Sequence, residues 1–377
     1  MKINKIKQLA EAAFNTVLAD RRHLHKNPEL SFKEFQTQQF VWGRLDEIGI
    51  TNKVKIAETG IVAMIEGKNP SAKIIALRAD MDALPIQETN KTDYVSQNAG
   101  VMHACGHDVH TSSLLGVASV LQQFKNEFSG TVKLLFQPGE EKLPGGASMM
   151  IKEGVLKNPS VSGILGQHVM PLIETGKVGF RSSVYMASTD EIYVTIKGKG
   201  GHGAIPHQNI DPVLIASHII VALQQIVSRN ANPIMPSVLS FGKVVANGAT
   251  NVIPDSVYLE GTFRTLDERW RNDAHAKMIK MAEAIAEGMG GKCEFKIVRG
   301  YPALVNNPEL TASARKNAVD YLGEENVLDL DIWMAAEDFA FYSRRPMLAF
   351  TVWGQEMKPR VLLHRYIHQH LILTRTH

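Results

Sequence analysis

Hydrophobic positions near the start of the chain recur at close to helical spacing. Ile6, Leu9, Ala13, Val17 and Leu18 mark one face of a helix from Ile3 to about His25, which Asn27-Pro28 ends. A second helix is expected from about Lys33 to Ile48, stopped near Gly49. The period then changes. Short runs at Lys53 to Ile56, Ile61 to Glu66, Lys73 to Arg78, Thr131 to Phe136, Ser162 to Gly166 and Met347 to Trp353 read as strands. Helical segments separate most of them, at Thr111 to Phe128, Gly146 to Glu153 and Pro308 to Leu322. Strands alternating with helices predict an α/β fold with a helix-covered, mixed and mainly parallel sheet. Ligands of such sheets bind outside the carboxyl ends of the strands.

Between about Ser183 and Gly300 the order is different. A strand at Glu191 to Lys197 is followed by a helix at Pro212 to Arg229, strands at Val238 to Val245 and Ser256 to Arg264, a helix at Arg269 to Met289 and a strand at Lys292 to Val298. That β-α-β-β-α-β succession predicts an inserted α+β ferredoxin-like domain over 185–299, splitting the first domain into 1–184 and 300–377.

Composition excludes several classes. A chain of 377 residues, 44% hydrophobic and 21% charged, matches an ordinary globular enzyme with a sizeable core. The net charge of +3 carries no basic run, which argues against nucleic acid or an acidic membrane surface as partner. Cys105 and Cys293 are the two cysteines, too few for a disulfide framework, so a reducing interior fits. The N-terminal stretch lacks the apolar core of a leader, and no segment approaches the roughly 20 apolar residues that span a bilayer. A cytoplasmic protein is the expectation.

The densest chemistry lies in Val101 to Thr111, VMHACGHDVHT. A thiol and imidazoles suit a transition metal, and in an extended segment Cys105 and His107 share a face and reach one ion. The alternative is a small buried cysteine beside a satisfied loop histidine. Glu140-Glu141, after an apolar strand and a Pro138-Gly139 bend, offers one carboxylate for a metal and one to take a proton from water; otherwise the pair is a solvated surface. Asp80 and Asp82 either support a ligand or form a turn with a helix cap. His168, at another strand end, is either a ligand or a buried satisfied histidine. His202, in the glycine-rich Gly200 to Gly203, is placed to donate to a developing oxyanion or is an exposed hinge residue. Asn251 and Arg264 are candidates for a substrate carboxylate, or else a turn residue and a surface charge.

Taken together, six stretches resemble the dinuclear metallohydrolases that include aminoacylase and glutamate carboxypeptidase. They are Arg21 to Leu30 (RRHLHKNPEL), Leu77 to Pro85 (LRADMDALP), Met102 to Asp108 (MHACGHD), Phe136 to Glu141 (FQPGEE), Gly200 to Gly203 (GGHG) and Ala336 to Phe339 (AEDF). The chain looks most like the branch of N-acyl-amino-acid amidohydrolases, hippurate hydrolases and indole-acetyl-amino-acid hydrolases. The resemblance implies a zinc-exopeptidase-like catalytic domain and an insert that serves as lid or dimerisation domain. It implies two divalent ions, zinc, manganese, nickel or cobalt, on Cys105, His107, Glu141, His168 and His364, with Cys105 as bridge. It makes Glu140 the general base and Asp82 a support for the site. His202, reached by closure of the insert or supplied by a partner subunit, would polarise the scissile carbonyl, with Asn251 and Arg264 on the substrate carboxylate. The substrate would be a small N-acyl-L-amino acid and the assembly a homodimer or higher oligomer.

The peptidase relatives carry a histidine at the first strand end and an aspartate bridge. Asp80 and Cys105 here favour the amidohydrolase branch, with a dipeptidase or carboxypeptidase as the alternative. After His364 the chain reads Arg365 to His377 (RYIHQHLILTRTH) in place of the family's closing helix. A truncation or shifted frame near His364, and with it an impaired metal-binding homologue, is a further alternative.

Overall fold

The computed structural model describes residues 2–344 and 348–354. His364 and the tail after it lie outside the described residues. The chain divides into two compact units, the first made of Met1–Ser183, Val305–Ile332 and Asp338–His377, the second of Val184–Leu304 with Trp333–Glu337. The second unit thus takes a short segment that the sequence pattern left with the first. Trp333 N–H donates to Tyr185 O and Ala187 N–H to Ala335 O, at 2.8 and 3.0 Å.

The first unit is built on an eight-stranded sheet. Its order is Lys53–Ile56, Gly60–Glu66, Thr131–Gln137, Ile74–Asp80, Gly163–Met170, Leu348–Gly354, Val178–Phe180 and Val327–Asp329. Four of its seven neighbouring pairs are parallel and three antiparallel, a mixed and mainly parallel α/β sheet. Thr131–Gln137 is buried along its whole length and Ile74–Asp80 almost so, as parallel strands covered on both faces must be. Register sets the functional edge. Asp80 pairs with Gln137 and Arg78 with Gly166, so two residues further on, at the carboxyl ends, His168 comes level with Asp80.

Helix His107–Phe124 lies on this sheet and is buried nearly all round, consistent with its apolar composition. Leu114, Val117, Ala118 and Leu121 share a core with Leu77, Leu134 and Leu165 of the strands and with Ala10 and Val17 of helix Lys2–Lys26. Each such leucine or valine contributes roughly 1.5–3 kcal/mol by burial. The helix begins four residues before the Thr111 start that periodicity suggests and ends at Phe124, where a 3-10 turn at Lys125–Glu127 takes over.

The second unit holds a four-stranded antiparallel sheet, Ser237–Val245, Ser256–Thr265, Asp190–Lys197 and Lys292–Arg299 in that order. With helices Pro212–Gln225 and Glu268–Gly288 it is the ferredoxin-like β-α-β-β-α-β arrangement, the strands lying second, third, first, fourth across the sheet. Ile215, Ile219, Leu223 and Ile226 face Ile192, Val194, Leu259 and Phe263 in its core. By length and composition alone, Pro212–Asn230 is apolar enough to cross a membrane, against the sequence expectation of no such segment. Here its inner stripe is buried within the unit, as in a core helix.

Candidate metal centre

Cys105 and His107 do approach one point, though by a different route from the extended alternation expected. Gly106 between them has φ +89°, and the helix starts at His107. The left-handed glycine turns the chain so that the thiol and the imidazole of the first helical turn face the same space. His168, on the strand Gly163–Met170, donates from Nδ1 to the Val169 carbonyl at 2.6 Å. Its Nε2 therefore faces Cys105 Sγ, 3.3 Å away.

His107 is oriented from behind. Its Nδ1–H donates to Asp82 Oδ1 at 3.2 Å, and Asp82 Oδ2 accepts from Ser31 Oγ at 2.6 Å and from the Glu141 backbone N–H at 2.9 Å. Nε2 of His107 is left buried without a hydrogen-bond partner among the described residues, 3.8 Å from Glu141 Oε1, which is buried and unpartnered as well. Ligand atoms of Cys105, His107 and His168 lie within 4.8 Å of one another, as do those of His107, Glu140 and Glu141.

The electrostatics describe a site crowded with acidic groups. Burial resists ionisation of Cys105, but His107 and His168 outweigh it and bring the thiol to about 6. Burial, followed by the Cys105 charge, pushes Glu141 up to about 8. Burial also disfavours a charged His107, yet Asp80, Asp82 and Cys105 together hold it well above the usual imidazole range. Cation-free, the cluster keeps protons on His107 and Glu141 that a divalent ion would displace. Sulfur, nitrogen and carboxylate donors, two of them orphaned, fit such an ion.

His110, one turn along the same helix, is engaged at both ends of its ring. Its Nδ1–H donates to Asp80 Oδ1 at 2.6 Å and its Nε2 accepts from the Val169 N–H at 2.9 Å, so both ring nitrogens are engaged. Burial lowers its pKa to about 4. It ties the helix to the strand that carries His168.

The turn bearing the glutamates is held by residues that sequence reasoning passed over. The buried Glu34 accepts from Gly139 N–H at 2.8 Å and from Thr59 Oγ at 2.6 Å. Glu140 is buried, and its Oε1 accepts from the Asp338 backbone N–H at 3.3 Å. Asp338 Oδ1 pairs with Arg78 Nη2 at 2.7 Å, and Arg78 Nη1 with Asp80 Oδ2 at 2.6 Å. The LRADMDALP stretch carries Arg78 and the AEDF stretch Asp338, but neither stretch shows that the two side chains meet.

His202, Asn251 and Arg264 belong to the second unit. His202 pairs with Val252 in a two-stranded ladder, and Gly203 N–H donates to Asn251 O, so His202 and Asn251 are neighbours. His202 is exposed, and its Nδ1 accepts from the Ala204 N–H at 3.1 Å, which leaves the proton on Nε2. Arg264 is half-buried in strand Ser256–Thr265, where burial lowers its pKa, and it donates to Met334 O at 3.3 Å.

Comparison with known proteins identifies the family. A family profile described as Peptidase family M20/M25/M40 matches residues 76–370. An N-acyl-L-amino acid amidohydrolase of Geobacillus stearothermophilus is 42% identical over 81% of this chain and 82% of its own. An N-acetyl-L-cysteine deacetylase of Bacillus subtilis (strain 168) is 41% identical over 89% of this chain and 79% of its own. A Bacillus subtilis crystal structure, described as a dinuclear metal binding peptidase from the M20 family, superposes with a TM-score of 0.80 at 33% identity, covering 96% and 97% of the two chains.

Proposed function

The chain belongs to Peptidase family M20/M25/M40, and from that premise we propose that it is a metal-dependent amidohydrolase that splits N-acyl-L-amino acids into a carboxylic acid and a free amino acid. The observation that carries this reading is the meeting of Cys105, His107, Glu141 and His168 beside a second buried glutamate, Glu140. Relatives named as an N-acyl-L-amino acid amidohydrolase and an N-acetyl-L-cysteine deacetylase support it.

Cys105, His107, Glu141 and His168, with His364 from the tail, would hold two divalent ions of zinc, manganese, nickel or cobalt type. Bound there, such ions supply Lewis-acid polarisation and make water acidic near neutral pH. Glu140 takes the proton of the attacking water and returns it to the amide nitrogen as the C–N bond breaks, so the carbonyl carbon gains oxygen and the amine leaves neutral. His202, reached by closure of the insert or supplied by a partner subunit, would donate its Nε2–H to the carbonyl oxygen, the tautomer that the Ala204 N–H selects. Arg264 and Asn251 hold the carboxylate of the amino acid. Asp82 leaves His107 Nε2 to face a cation by accepting the hydrogen bond of the Nδ1–H, which stays on His107. The two cysteines are unpaired, in keeping with a cytoplasmic setting. The second unit's edge strands, Ser237–Val245 and Lys292–Arg299, and its helices are the surfaces through which copies would pair.

The test is a panel of hippurate, several N-acetyl-amino acids and a dipeptide, run on remetallated protein and on Glu140→Gln. Cleavage of the acyl-amino acids, with a loss of roughly 10²- to 10⁴-fold in the variant at unchanged metal content, is expected. Wild-type turnover in a Glu140→Gln protein that binds metal normally would overturn the mechanism. Cleavage of the dipeptide alone would replace the substrate class by that of a peptidase.

A further inference from the structure

We propose that Asp338 and Arg78 are positioning residues for Glu140, an inference that rests on the reading of Glu140 as general base. Glu140 sits in an irregular turn after strand Thr131–Gln137, outside the sheet's backbone ladder. A backbone N–H from a distant segment, that of Asp338, reaches Glu140 Oε1 instead.

That N–H is held in place by its own side chain. Asp338 Oδ1 accepts from Arg78 Nη2 at 2.7 Å and from Gln137 Nε2 at 2.8 Å, while Oδ2 accepts from Gln137 Nε2 at 2.9 Å and from Ala147 N–H at 2.9 Å. Gln137 Oε1 accepts from Arg78 Nε at 2.9 Å and from the Tyr342 hydroxyl at 3.2 Å. Phe339 lies under the guanidinium, 5.8 Å from ring centre to Cζ. The side chains of Arg78, Asp80 and Asp338 are fully buried.

Stability alone is a weak reason for such an arrangement, since a buried ion pair is often no better than apolar residues of the same volume. Its geometry has a use. The planar fork of Arg78 joins Asp338, on the Glu140 side, to Asp80, whose other oxygen holds His110. One rigid group thereby references the proton-transferring carboxylate to the helix that supplies His107. A displacement of about 1 Å at a reacting group costs up to about 100-fold in rate, which is the scale on which such a clamp acts.

A double-mutant cycle on the remetallated full chain tests this, with Asp338→Asn, Glu140→Gln and the pair assayed on one N-acetyl-amino acid. Asp338→Asn is expected to lower kcat by about 10- to 100-fold with KM and bound metal unchanged within about twofold. In the Glu140→Gln background the same substitution is expected to alter the residual rate by less than about twofold, because the group it positions is already gone. Equal fold-losses in both backgrounds, or an unchanged kcat in Asp338→Asn, would overturn the inference while leaving the base assignment standing. Wild-type turnover in Glu140→Gln alone would remove both. Should Asp338→Asn not fold, Gln137→Met, which removes donors to Asp338 but leaves its pair with Arg78, goes through the same cycle under the same criteria.

Discussion

Replacing Asp82 by asparagine keeps its shape and removes its charge, and the surroundings dictate where the new amide must point. Three donors converge on this side chain: His107 Nδ1–H on one oxygen, Ser31 Oγ and the Glu141 N–H on the other. The Glu141 N–H can only donate, so the amide oxygen turns toward it and the NH₂ faces His107. His107 must then accept at Nδ1 and carry its proton on Nε2, the atom that faces Glu141. The opposite flip strands a backbone N–H at roughly 1–3 kcal/mol. Either outcome weakens cation binding, by roughly 10- to 100-fold on the scale known for such partners, or roughly 1.4–2.8 kcal/mol. The assay is a competition titration against a chelator at fixed pH, with unfolding in excess chelator as a control for the apo fold. The reasoning is refuted if Asp82→Asn binds divalent cation within twofold of wild type while His107→Ala does not bind.

Other consequences are independent of that one. Because the Cys105 thiol lies at about 6 and burial followed by Glu283 and Glu294 lifts Cys293 to about 11, iodoacetamide should modify Cys105 first in metal-free protein. Its rate should rise through about pH 6 and fall at least about tenfold with added zinc, read by peptide mass spectrometry. In the second unit, Asp190→Asn should cost roughly 1.5–3 kcal/mol by removing the two-pronged carboxylate of the fully buried Arg271, which keeps its pair with Glu268. Burial raises the Asp190 pKa, but His275 and Arg271 outweigh it, so the folded value is depressed. Its contribution is present above the unfolded value near about 3.9 and is lost as pH falls through the lower folded one. Denaturant titrations of the two proteins should therefore converge under acid conditions. Gly146→Ala would set a Cβ 1.7 Å from the Pro138 carbonyl and should destabilise by roughly 1–3 kcal/mol or more and lower kcat, whereas Gly43→Ala, with open space around it in a helix, should be neutral or stabilising by up to about 1 kcal/mol in thermal unfolding.

What sequence reveals here is what short-range pattern encodes. The alternation of strand and helix and the Cys105-x-His107 and Glu140-Glu141 spacings are local, and they are legible. The route between Cys105 and His107 was not, because the helix starts at a left-handed Gly106 with no side-chain cap. Strands Val178–Phe180 and Val327–Asp329 are three residues each, too short for any period to show. That His110 ties helix to strand through Asp80 and the Val169 N–H is likewise invisible in the sequence. Arg78 and Asp338 are 260 positions apart, and their pairing exists only once the sheet has formed.

The central claim is that Cys105, His107, Glu141 and His168 converge on divalent ions. Cobalt titration of chelator-stripped protein, followed by near-ultraviolet absorption, addresses it most directly. Uptake of two equivalents with a thiolate-to-cobalt band that vanishes in Cys105→Ser is the predicted result. Saturation without that band, or identical spectra for wild type and Cys105→Ser, would contradict the account.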